Sequence, residues 1–142
     1  MVANKDHIYN TKNPGFSSRG FLFSFLLLCC VFFAQGQAVI TFDQTAKHLG
    51  FLHKGDTAKF AYVFTNTGNQ PLIVSETKVE CGCTIVEKPE YQINPGKRGE
   101  INVMFITTHT IDRQDRTVTV VSNASNSPTV LRFKCVVLAA KK

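Results

Sequence analysis

The sequence predicts an all-β domain, an antiparallel sandwich of about seven short strands. Three observations carry that prediction. Apolar and polar residues alternate with a period of two in several separate stretches, which puts alternate side chains on one face of a strand. Turn-forming clusters recur between these stretches, at residues 54–56 (Lys-Gly-Asp), 66–68 (Asn-Thr-Gly), 94–96 (Asn-Pro-Gly) and 123–128. No stretch longer than a turn shows the 3.6-residue apolar period of an amphipathic helix.

In chain order, residues 39–43 and 47–52 are short strand candidates. Residues 57–68 put Ala58, Phe60, Tyr62 and Phe64 on one face and end in a turn. Residues 70–80 place Leu72 and Val74 together, with Pro71 confined to the strand start because it has no N–H for the ladder. After the 94–96 turn, Ile101, Val103 and Phe105 share a face. Residues 115–123 are rich in β-branched side chains, which suit a half-buried pleated surface. Residues 129–138 alternate most cleanly, with Leu131, Phe133, Cys135 and Val137 inward and Arg132 and Lys134 outward. Residues 107–115 form the longest polar stretch and are expected to join two strands at one end. This strand count and turn spacing indicate an immunoglobulin-like β-sandwich. The chain has no Trp and lacks the cysteine spacing of antibody domains, so the architecture would stand without their central disulfide.

The N-terminal residues differ from the rest. Lys5, Lys12 and Arg19 precede an uncharged apolar run at residues 21–33, followed by Ala34-Gln35-Gly36 with small residues at the positions a signal peptidase reads. Residues 1–36 are therefore expected to be a secretory signal peptide cleaved after Gly36, with residues 37–142 as the domain. The apolar run is shorter than the roughly 20 residues of a membrane helix, so membrane contact is expected only through this segment before cleavage. The leader holds three of the sixteen basic and one of the ten acidic residues, so its removal lowers the formal charge from +6 to +4. The remaining basic residues form no run longer than two, which argues against a nucleic-acid partner.

The order of motifs is distinctive. Asn-Thr-Gly-Asn-Gln-Pro-Leu-Ile-Val at 66–74 precedes Cys-Gly-Cys-Thr at 81–84 and Ile-Asn-Pro-Gly-Lys-Arg-Gly-Glu-Ile-Asn-Val-Met-Phe at 93–105. Thr-Val-Thr-Val-Val-Ser-Asn at 117–123 and a closing strand follow. This order resembles domain-of-unknown-function family 1573 over roughly residues 40–138. The chain departs from that pattern at Lys47-His48-Leu49-Gly50, where members carry His-Asp-Phe-Gly, and at His109, Asp112 and Cys135, where members carry glycine. The resemblance implies a single immunoglobulin-like domain, periplasmic or secreted, in a bacterial cell envelope. It also implies likeness to modules that dock on larger assemblies, and so scaffolding or adhesion with envelope or extracellular proteins as partners. No catalysis is implied.

The best candidate site is Cys81-Gly82-Cys83, with Cys135 as the third cysteine left after removal of the leader. An odd count outside the cytoplasm leaves one thiol free, metal-bound or paired between chains. Three readings compete. Cys81 and Cys83 as thiolates suit copper or zinc, but zinc wants about four ligands and no spacing ties His48, His53 or His109 to the pair. As a redox pair they would cycle between dithiol and disulfide, with Lys78 and Lys88 the nearest cations in sequence. As structure, Gly82 makes a bend while one cysteine packs inward or bridges to Cys135. The structural reading is preferred, with no catalytic residue and no resident cofactor.

Other features are weaker. Glu76, Glu80, Glu87 and Glu90 read as solvated carboxylates, and each histidine alone reads as a surface residue. Asn123-Ala124-Ser125 matches a glycosylation acceptor. Tyr62 and Tyr91, without Trp, make a poor platform for stacking a sugar. The sequence thus points to an exported, non-catalytic binding or scaffold domain, with thiol or metal chemistry at Cys81 and Cys83 as the alternative. Phe64→Ala, on the alternating face of residues 57–68, should destabilise the domain by about 3–5 kcal/mol. A denaturant titration showing a cost near zero would place that face outward.

Overall fold

A computed structural model describes residues 36–140. The leader expectation falls almost wholly outside the described residues, as do Lys141 and Lys142. Eight strands form two four-stranded sheets. The first sheet has the order β1-β3-β6-β5, from β1 (Ile40–Phe42), β3 (Thr57–Asn66), β6 (Arg98–Ile106) and β5 (Thr84–Glu87). The second has the order β2-β8-β7-β4, from β2 (Ala46–His53), β8 (Thr129–Leu138), β7 (Asp112–Ser122) and β4 (Val74–Val79). The described residues contain no helix.

The immunoglobulin-like sandwich stands, with three corrections of detail. β5 is an additional strand, starting directly after the Cys-Gly-Cys segment. β2 pairs parallel to β8, whereas every other named pair is antiparallel. Periodicity tells which face a residue occupies, not which strand lies beside it, so the parallel pair left no local signal. Lastly, the polar stretch 107–115 is not all loop, because β7 begins at Asp112.

Alternation places the core. Tyr62, Phe64, Ile101, Val103 and Phe105 from the first sheet meet Val118, Val120, Leu131, Phe133, Cys135 and Val137 from the second, all buried. Phe133 packs edge-on against Phe60 and Phe105, with ring centroids 5.1 and 5.2 Å away. Phe64 lies over Gly99, its partner on β6, and a Cβ there would meet the Phe64 ring at 2.5 Å. The fit leaves no room for any other residue at 99 without displacing the ring.

Two buried polar side chains close the ends. At one end Asn66 is fully buried; its amide donates to the carbonyls of Gln70 (2.7 Å) and Ile93 (2.9 Å), and its oxygen accepts from the Gly68 N–H at 3.1 Å. At the other, the buried Thr107 hydroxyl lies 2.7 Å from the His53 carbonyl and 2.8 Å from that of Asp56. These contacts satisfy backbone groups that water cannot reach.

The sheet edges are blunted. β1 and β5 have three and four residues, and Pro89 follows β5 closely. β2 and β4 are interrupted by bulges, at His48/Phe51 and Val74/Glu76. Short or bulged edges pair poorly with a further strand.

Tyr62 ties the sheets together through a polar contact. Its ring is buried, and its hydroxyl donates to the Arg132 carbonyl across the interior at 2.8 Å. Burial pushes its pKa up to about 12. The folded state therefore holds the phenol proton more tightly than the unfolded chain, in which Tyr titrates near about 10. The resulting stability is full below pH about 10 and is lost as pH rises through about 12. Thermal melts between pH 9 and 12 should show this fall, and Tyr62→Phe should make it shallower while lowering stability at neutral pH.

Candidate functional site: the Cys-Gly-Cys corner

The chain leaves β4 at Val79 and turns into β5 at Thr84. Its turn is held by the Thr84 N–H donating to the Cys81 carbonyl at 3.2 Å. The Cys83 carbonyl then accepts from the Ile106 N–H at 2.8 Å, which fastens the corner to the end of β6. Gly82 is exposed, and a Cβ added there would meet nothing within 4 Å, so the tip of the turn is open to approach.

Cys81 and Cys83 are joined to each other in a disulfide, with Cα atoms 5.3 Å apart. The Cys83 N–H donates to the Cys81 sulfur at 3.2 Å. Cys135 is a free thiol on the interior face of β8, 4% exposed, and bridges to neither. Burial pushes its pKa up, opposed by the nearby Arg116 charge, so it is held as a neutral packing group. The inter-sheet staple through Cys135 that the sequence left open does not form, because Cys81 and Cys83 are satisfied locally.

A disulfide across one residue cannot staple a fold. It links two residues that the chain already holds together, so it removes little freedom from the unfolded state. By the usual chain-entropy relation, a loop of three residues is worth roughly 1–2 kcal/mol, against about 3 for fifteen residues.

Around the disulfide lies an open groove of about 480 Å³, lined by Cys81, Gly82, Cys83, Ile106, Thr108, His109, Thr110 and Arg116. Arg116 reaches it from β7 and spends one guanidinium nitrogen on the Gln114 side chain at 2.7 Å. Two buried side-chain atoms of the described residues have no hydrogen-bond partner, Thr110 Oγ1 and Arg116 Nε, and both belong to residues of this groove. Unpaired buried polar groups are rare and costly, so these two set this end of the sandwich apart from the Asn66 end. Sequence reading singled out the cysteines but not Thr110 or Arg116, which no local pattern marks.

The other candidates disperse. His109 shares the groove, whereas His48 lies in a separate outer-face groove and His53 sits 3.8 Å from Asp56. Among the described residues no three His, Cys, Asp or Glu side chains converge as a metal site. While the disulfide stands, its sulfurs are not thiolate ligands for copper or zinc. Lys78 pairs with Glu76 at 3.4 Å, and Glu80 accepts from Thr117 Oγ1 at 2.6 Å. Asn123 uses its side chain as a bracket, accepting from the Ile73 N–H at 2.8 Å and donating to the Pro71 carbonyl at 3.0 Å. On the outer face of the second sheet, the Arg132 hydrogen bond holds the Asp115 carboxyl below its usual range.

Comparison with known proteins places this geometry in a family. The model described as "Protein of unknown function (DUF1573)" matches residues 40–137. The chain belongs to this family. The match spans both sheets and the Cys81–Cys83 corner. A search of curated proteins finds no match. Among solved structures, a protein of unknown function from Porphyromonas gingivalis W83 aligns with a TM-score of 0.62 and 17% identity, over 70% of this chain and 46% of that one. The ASH/PapD-like domain 7 of human CEP192 aligns with a TM-score of 0.57 and 6% identity, over 99% of each chain. The VesB protease of Vibrio cholerae aligns with a TM-score of 0.57 and 11% identity, over 68% of this chain and 31% of that one. This chain thus spans under half the length of the Porphyromonas structure and about a third of VesB. At these identities the likeness is one of fold.

Replacing both Cys81 and Cys83 by Ser should lower the unfolding free energy by no more than roughly 1–2 kcal/mol. Denaturant unfolding of the oxidised protein and the double variant measures the difference. A loss well above that range would make the corner a structural staple after all.

Proposed function

We propose that the chain is an exported, non-catalytic binding domain of the bacterial cell envelope, and that it meets a protein partner through the outer face of its first sheet. The observation that carries this is a contiguous apolar strip on the outer face of the first sheet, separate from the exposed Phe51, Val130 and Leu138 of the second. A sandwich exposed to water on both outer faces shows polar residues there. Here Ala61 on β3, Ile85 on β5, and Met104 and Ile106 on β6 all point outward from the first sheet. Ile85 is 47% exposed and sits directly across from Met104. They line a shallow groove of about 430 Å³ with Ala61, Lys59, Glu87 and Asn102.

An apolar floor with one cation and one anion at its rim has the composition of a small protein-binding surface, in which apolar burial gives affinity and the charges give register. Face-on binding also suits the blunted edges better than addition of a partner strand does. Export rests on the leader pattern at residues 1–36.

A photo-crosslinking side chain at position 85, in the native host, should give a discrete protein adduct. The same group at Thr119, on the outer face of the second sheet, should not. Met104→Lys should abolish the adduct at 85 while leaving the melting temperature within a few degrees. Equal labelling at both positions, or an adduct indifferent to Met104→Lys, would count against this face.

A further inference from the structure

We infer that the groove at the Cys-Gly-Cys corner is a thiol–disulfide exchange site for an anionic cysteine-bearing peptide, with the charge of Arg116 attracting a carboxylate on that peptide. The inference is independent of the binding face on the first sheet. Four observations meet in one place. The disulfide links residues already adjacent in the chain, so opening it costs the fold little. Its turn is open, with free space over Gly82. The groove beside it is lined by the cationic Arg116 and by no acidic side chain. Finally, the two sulfurs are not equivalent, because only the Cys81 sulfur receives a backbone N–H, from Cys83.

These observations assign the steps. The Arg116 guanidinium attracts a carboxylate of the peptide and so brings a peptide cysteine against the corner. The peptide thiolate attacks Cys83 Sγ. A new S–S bond forms to Cys83, the Cys81–Cys83 bond breaks, and its electron pair leaves on Cys81 Sγ. That departing thiolate is stabilised by the Cys83 N–H already directed at it and by the positive charge of Arg116 in the same groove. A second thiolate of the peptide then attacks the peptide sulfur of the mixed disulfide and expels Cys83 as thiolate. The peptide dithiol is thereby oxidised to a disulfide, and the Cys81–Cys83 pair takes up the two electrons. The two protons lost by the peptide thiols appear on Cys81 and Cys83 or in solvent, according to pH. Cys135, buried on the interior face of β8 and bonded to neither sulfur, takes no part.

The test uses the full chain with its disulfide intact. The probe is a reduced peptide carrying an acidic residue beside two cysteines separated by two residues, and the small neutral dithiol dithiothreitol serves as reference. Loss of the Cys81–Cys83 bond is followed by acid quench, alkylation and intact mass. The folded protein should lose its disulfide to the peptide, and the trapped mixed disulfide should map to Cys83. Arg116→Gln should slow the peptide reaction about tenfold or more while changing the dithiothreitol rate by less than about threefold. A merely structural Arg116 would shift both rates together. Should Arg116→Gln fail to fold, a peptide with its acidic residue replaced by the corresponding amide makes the same comparison on the unchanged protein, with the same slowing of the peptide reaction alone. A disulfide that opens only in denaturant, a mixed disulfide at Cys81, or parallel slowing with both dithiols would each overturn the assignment.

Discussion

The fold depends on one aromatic contact between its sheets. Phe133 comes from the centre of the second sheet and lodges between Phe60 and Phe105 of the first. Each strand on either side alternates inward and outward around that contact, and a slip of one residue would turn every buried side chain to water. Tyr62 adds direction to the packing. Its hydroxyl must find the Arg132 carbonyl, a demand that apolar contacts alone do not make. The cluster therefore fixes sheet spacing, and the phenol fixes how the sheets sit along each other.

The two ends of the sandwich differ in how their polar groups are settled. At the Asn66 end, a single buried amide donates to the carbonyls of Gln70 and Ile93 and accepts from the Gly68 N–H, so both its nitrogen and its oxygen are paired. At the opposite end Thr107 satisfies two carbonyls, yet Thr110 and Arg116 a few residues away keep unpaired atoms beside the disulfide. Local consistency is the rule in a folded chain, and departures from it gather where a protein has something to do. The two ends of one small domain thus differ in how fully their buried polar side chains are paired.

Much of the fold was legible because half-buried strands advertise their inward face. Leu131, Phe133, Cys135 and Val137 are buried in the order the alternation gives, as are Ile101, Val103 and Phe105. β5 escaped because four residues between a cysteine turn and a proline are too few to show a period. Asn66 read as an ordinary turn former; only the approach of residues 70 and 93 makes it a buried bracket, and such meetings leave no mark in sequence. The same reason hid the groove. Cys81 and Cys83 stand out as a motif, but Thr110 and Arg116 reach them through the pairing of β7 with its neighbours, which depends on strand order. The pairing of the sulfurs was one of several arrangements the spacing allowed, and closeness in chain decided it.

The parallel pairing of β2 with β8 has a consequence for how the chain is made. β2 ends at His53 and its only partner begins at Thr129, so the ladder between them joins regions synthesised far apart in time. Until the final strand emerges, β2 has no neighbour on either side, and β7 is paired only with β4. The first sheet suffers no such delay, since β1, β3, β5 and β6 all lie within residues 40–106. Assembly is thus ordered by the topology itself: one layer can form early, while the other waits, with Val118 and Val120 uncovered by β8, for a closing element that loop-closure entropy makes slow to arrive. That interval is when the uncovered apolar face and unpaired strand edges of the second sheet are most open to association with other chains.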